Sequence, residues 1–157
     1  MALYDATFDP FQEAWKNPAA QFPIFVDEEY GLMVIPDALP AVDHQVLVIC
    51  REQTPYQELP ASRQLQMMTL ANITAEYMDK VLKPKRKIGY AVWGNQIKTA
   101  HIHLLPRNVP DDGIKFFVGE KSRQTQQQLK ETQKLLNFPI ALQRKAKKQL
   151  EELASKF

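Results

Sequence analysis

Thr99-Ala100-His101-Ile102-His103-Leu104-Leu105-Pro106-Arg107 is the stretch on which the reading of this chain turns. It carries two of the three histidines, two residues apart. Ala100, Ile102 and Leu104 alternate with them, the period of a strand with one buried face. On such a strand Thr99, His101, His103 and Leu105 share the other face, so both imidazoles enter the same space. Two side chains that titrate near neutral pH on an apolar strand point to acid–base, nucleophilic or metal chemistry. The plain alternative is a pair of half-exposed histidines on a solvent face. Metal is a third reading: H-x-H on a strand can hold zinc or copper, and His44 and Cys50 are the remaining histidine and the single cysteine.

Working outward, the segments on either side supply a sheet and a long helix. Asp9-Pro10 is an N-cap followed by proline at the first helical position, so a short helix begins there and stops at Asn17-Pro18. Phe11 and Trp15, four apart, form its apolar edge. Two apolar runs, 22–26 and 31–35, flank an acidic turn and read as a hairpin; 46–50 is apolar throughout and reads as a central strand. Leu59-Pro60-Ala61-Ser62 introduces a long helix running to about Leu82, and 88–93 predicts a strand turning tightly at Gly94-Asn95 into the histidine strand. Residues 122–136 and 139–156 predict two further helices, the second with a one-sided stripe of Ile140, Leu142, Ala146, Leu150 and Leu153.

The bulk properties bound the class. A chain of 157 residues with 45% apolar and 24% charged residues has room for one core. Net charge is +2, but residues 121–157 hold 9 basic against 3 acidic residues while the rest of the chain is net −4. Such a basic end can meet phosphates, nucleic acid or an acidic patch, or be only a solvated helical face; nothing else in the sequence indicates nucleic acid. A single cysteine cannot form an internal disulfide. With no signal-peptide pattern and no run of membrane-span length, the expectation is a cytoplasmic protein without membrane contact.

The 99–107 stretch resembles the signature of the histidine triad superfamily, in which three alternating histidines run into a short apolar-Pro segment, and its Leu-Leu-Pro-Arg end is similar to the dinucleoside-polyphosphate-hydrolase branch. In that register His101 matches the central, nucleophilic histidine, His103 the last, and Thr99 stands where the first would be. A second, independent resemblance covers Asp37, Pro40 and Val46–Ile49, with Asp37 on the family's ribose-binding acid. The family's histidine before this strand falls on Gln45, with His44 one place early and usable only if a bulge shifts the register. Gly94, Asn95 and Gln96 fall on phosphate-side positions, whereas the family's upstream Asn lands on Ile88. The likeness spans roughly residues 22–107.

The resemblance implies an α+β, HIT-like fold: a mostly antiparallel five-stranded sheet, a long helix packed on it, and an additional helical tail. It implies a nucleotide-binding domain over 1–120 and a C-terminal extension over 121–157 packed on the domain or on a dimer partner. The implied activity is nucleotide hydrolysis or nucleotidyl transfer at the α-phosphate, on phosphoramidates or dinucleoside polyphosphates, through a nucleotidyl-histidine at His101. His103, Asn95 and Gln96 would meet the phosphate, Asp37 the ribose, and Phe25, Leu32 and Ile35 an apolar slot for the nucleoside. No cofactor or metal is required by that chemistry, and family members commonly form two-fold dimers. Two readings stay open beside it: a nucleotide-binding protein of the same fold with little catalysis, for which Thr99 and Gln45 speak, and a metal-binding or purely structural module.

Overall fold

The computed structural model describes residues 8–93, 97–108 and 123–156. In chain order the described elements are α1 (Pro10–Lys16), β1 (Phe25–Asp27), β2 (Leu32–Pro36), β3 (Val46–Cys50), α2 (Ala61–Leu82), β4 (Ile88–Ala91), β5 (His101–Pro106), α3 (Gln126–Leu136) and α4 (Ile140–Ser155), with short 3-10 turns at Pro18–Gln21 and Tyr56–Glu58. The strands make one antiparallel sheet in the order β1-β2-β3-β5-β4. The apolar run Val46–Cys50 is central because it is buried at every position, as are β2 and β5 beside it.

Alternation along these strands splits the sheet into two faces. Val34, Val48 and Ile102 are paired across β2, β3 and β5, and with Phe25, Leu32 and Leu104 they pack under α2 at Met67, Leu70, Ala71 and Met78. The helical tail joins this same core through Leu136, Phe138, Ala146 and Leu150, and the Phe138 ring stacks on Phe25 at 5.2 Å. Met33, Ile35, Leu47 and Ile49 face the other way, where α1 covers them with Phe11, Ala14 and Trp15. Leu47 pairs with His103 and Ile49 with His101, so the two histidines continue that second face.

Three local features fix the frame. Gly31 turns β1 into β2 at φ +63°, a conformation L side chains rarely adopt, and a Cβ there would lie 3.2 Å from Nη2 of Arg63. That Nη2 donates to the Gly31 carbonyl at 2.8 Å, while the guanidinium grips Glu52 in two bonds of 2.7 and 2.8 Å, tying the hairpin to α2. Third, α3 begins at Thr125, whose hydroxyl accepts from the Gln128 N–H while the Gln128 side chain accepts from the Thr125 N–H. This reciprocal cap moves the start inward from the expected residue 122.

The tight hairpin expected at Gly94-Asn95 falls on residues 94–96, which lie outside the described residues. Ala91 of β4 pairs with His103 of β5.

Candidate active site

β5 delivers His101 and His103 side by side, 4.9 Å between ring centroids, at 7% and 8% exposure. Phe11 of α1 lies against the His101 ring at 4.7 Å, and Trp93 against the His103 ring at 4.2 Å. Nδ1 of His101 donates to the backbone carbonyl of Thr99 at 2.8 Å. A carbonyl only accepts, so the proton resides on Nδ1 and the lone pair on Nε2. Burial, and after it the neighbouring His103, pushes the His101 pKa down to about 4; the Thr99 carbonyl, Asp37 and Asp9 oppose this only in part. At neutral pH His101 is an uncharged imidazole with a free Nε2.

His103 has the opposite tautomer, and a side chain sets it. Oε1 of Gln45 accepts from the Ala41 N–H at 2.8 Å, which fixes the amide orientation. Its Nε2 therefore faces inward, donating to Oδ2 of Asp37 at 2.7 Å and lying 3.2 Å from Nδ1 of His103. His103 accepts at Nδ1 and carries its proton on Nε2. Among the described residues that Nε2 is the buried side-chain polar atom without a hydrogen-bond partner. A buried donor without a partner costs about 1–3 kcal/mol and is a group waiting for an acceptor. The site thus pairs a lone pair on one ring with an N–H on the next.

Asp37 ends β2 in this cluster. Oδ1 accepts from the Leu39 N–H at 2.8 Å, and Oδ2 lies 3.7 Å from Nδ1 of His103. A cavity of about 70 Å³ borders His101, lined by Tyr56, Gln57, Trp93, Lys98 and Thr99 among others. Among the described residues no group of three or more His, Cys, Asp or Glu side chains is placed to hold a metal ion. No helix there is long and apolar enough to cross a membrane.

The sequence-predicted residues divide sharply. His101, His103 and Asp37 are brought together, and Ile35 lies on their face of the sheet beside Met33 and Leu47. Phe25 and Leu32 do not belong with them: both sit in the core beneath α2, on the opposite face. The correction is one of parity, since Phe25 pairs with Val34 and Leu32 with Cys50, and the histidine-side neighbours are Val26 and Met33. His44 is also elsewhere. Its backbone is left-handed at φ +60° and its ring meets Thr132 of α3 at 3.2 Å, leaving Gln45 to face the site. Asn95 and Gln96 lie outside the described residues. Thr99 precedes β5 rather than continuing its face, and its hydroxyl is engaged by Asp9 and Gln12. Sequence reasoning treated Gln45 as a lost histidine and Asp9 as a helix cap, and gave Phe11 and Trp93 no part in the site. Only Gln45 carried a signal, its parity before β3.

The five-stranded antiparallel sheet with its helices is a fold shared with solved histidine triad structures. Among solved structures the chain is similar to a Hit-like protein of Bartonella henselae involved in cell-cycle regulation (14% identity, TM-score 0.67, covering 85% of this chain and 96% of that one). A Zn-bound histidine triad family protein from Mycobacterium smegmatis matches at 19% identity and TM-score 0.65, covering 98% of this chain and 100% of that one. Plasmodium falciparum diadenosine triphosphate hydrolase, solved with Cyclomarin A, matches at 14% identity and TM-score 0.55, covering 80% and 81%. No family model matches the sequence, and no curated protein matches it.

Proposed function

We propose that the protein is a nucleotide hydrolase or nucleotidyltransferase of the histidine triad type, acting at an α-phosphate through His101. The observation that carries this reading is the pair of opposed tautomers on one strand: a neutral His101 with Nε2 free, beside a His103 whose buried Nε2–H lacks a partner. In the first step Nε2 of His101 attacks the α-phosphorus. A P–N bond forms, the bond to the leaving group breaks, and its electron pair departs with that group. The ring becomes a nucleotidyl-imidazolium whose Nδ1–H stays on the Thr99 carbonyl. Water then adds to phosphorus and gives up a proton to solvent, the P–N bond breaks, and the pair returns to Nε2. An alcohol or phosphate in place of water makes the reaction a transfer.

His103 donates to a phosphate oxygen as charge builds there, and Asn95 and Gln96 add donors from the loop. Asp37 accepts from the ribose hydroxyls with the lone pairs that Leu39 and Gln45 leave over. The nucleoside rests at Ile35. Thr99 stands in the place of the first histidine of the triad. A two-fold homodimer in the cytoplasm belongs to this proposal, and sedimentation mass tests the dimer.

The test is incubation with an adenosine phosphoramidate and, separately, a dinucleoside polyphosphate. Turnover is expected, with a nucleotidyl adduct on His101 by mass spectrometry after rapid acid-free quenching, and His101→Ala abolishes both. One observation favours a second reading, a nucleotide-binding protein with little catalysis: Oδ2 of Asp37 is already occupied by Gln45. Nucleotide binding without product or adduct in the wild type would establish that reading in place of the first.

A further inference from the structure

The buried carboxylate of Asp9 has no role in the proposed chemistry. Asp9 is 7% exposed, and donors occupy both of its oxygens. Oδ1 caps α1, accepting from the N–H groups of Phe11 and Gln12 at 2.9 and 3.3 Å. A cap needs no more than that. Oδ2 turns to a residue 90 positions away, accepting from the Thr99 N–H at 3.1 Å and the Thr99 hydroxyl at 2.5 Å, with Gln53 Nε2 at 3.4 Å. Gln12 adds a bond to the same hydroxyl at 2.9 Å and one to the Arg51 carbonyl at 2.8 Å. The next N–H, that of Ala100, donates to the Thr54 carbonyl at 2.9 Å. The peptide unit that presents the Thr99 carbonyl to His101 is therefore held on both sides.

We propose that Asp9, acting through Thr99, is a positioning residue for His101: its second carboxylate oxygen holds the Thr99 carbonyl on Nδ1 and so keeps the attacking Nε2 unprotonated. This rests on the reading of His101 as the nucleophile. Two charge-assisted bonds from one residue fix Thr99 more firmly than a neutral acceptor does. The carbonyl is the partner that selects the tautomer of His101, and an imidazole whose outer partner is lost redistributes its proton between the two nitrogens. Thr99 thereby links the cap of α1 to the strand that carries the chemistry.

The test separates the cap from the clamp. Asp9→Ser retains a capping oxygen for α1 but has no second oxygen for Thr99. The full chain is labelled with [15N]histidine, and the tautomer of His101 is read from long-range 1H–15N correlations. Wild type is expected to show the Nδ1–H form. Asp9→Ser is expected to show a substantial Nε2–H population, with kcat on an adenosine phosphoramidate lower by about tenfold to a hundredfold and KM within about twofold. An Asp9→Ser protein that keeps both the Nδ1–H form and its kcat overturns the proposal and leaves Asp9 a cap. If Asp9→Ser does not fold, Thr99→Val is decisive instead. It removes the hydroxyl, and with it the bonds to Asp9 and from Gln12, but keeps the Thr99 N–H on Asp9, so a smaller shift of the tautomer in the same direction supports the proposal and an unchanged tautomer overturns it. Should the wild type turn over no nucleotide, the functional reading fails on its own, while the tautomer still decides the part played by Asp9.

Discussion

Acid titration of the folded protein offers a direct measure of how His101 is held. In the unfolded chain its imidazole titrates near the ordinary 6.5; in the folded protein burial and the adjacent His103 bring it down to about 4. Between those values the unfolded chain binds a proton that the native site refuses, so stability falls as pH drops through this window and is fully present above it. A difference of about 2.5 in pKa, at about 1.4 kcal/mol each, amounts to about 3 kcal/mol. Asp37 and Asp9 face the same ring and favour its charge, and their influence is already contained in the lowered value. The measurement is urea unfolding at a series of pH values from about 7 to about 4, for wild type and for His101→Gln. Every other titrating group is common to both proteins, so the difference between the curves isolates His101. Wild type should lose about 3 kcal/mol more than the variant across the window, steepest between about pH 6 and about pH 4.5. Parallel curves would mean that His101 charges as readily in the fold as outside it, and would rule out a His101 held neutral by the site.

Two further perturbations probe the surroundings. Gln45→Glu sets a second carboxylate against Oδ2 of Asp37, where the amide now donates at 2.7 Å; the expected loss at neutral pH is about 1–3 kcal/mol, shrinking toward pH 5 as the pair takes up a shared proton, and an equal loss at both pH values by denaturant unfolding would count against the assigned amide orientation. Leu150→Ala empties a fully buried position where α4 meets α2, with an expected loss of about 2–5 kcal/mol; a loss well under about 1 kcal/mol would show that the tail rests on the sheet domain without sharing its core.

The fold was legible because its signals are local. A continuous apolar run marked β3, proline and capping residues marked the helix starts, and the alternation in 100–105 marked β5. What misled was the choice of residues for the apolar slot. Phe25 and Leu32 are large, apolar and near Asp37 in the chain, yet strand parity sends them beneath α2. Counting in twos from Ile35 would have chosen Met33, with Val26 opposite it on β1.

The two histidines show where a sequence stops informing about a site. The acceptor that sets the tautomer of His101 is a backbone carbonyl two residues away, so the strand alone nearly specifies it. The group that sets the tautomer of His103 is the amide of a residue 58 positions away, and its orientation depends in turn on the Ala41 N–H. Nothing local in either segment announces that chain of bonds. Asp9 and Thr99 are harder still, because each already has a sufficient local reading, one as a cap and one as a strand residue. A carboxylate has two oxygens, and the helix explains one of them. The second oxygen, committed to a residue far along the chain, is the kind of surplus bond by which a site built on one strand enlists distant elements. Through it, Thr99 ties the strand that carries His101 to the start of α1.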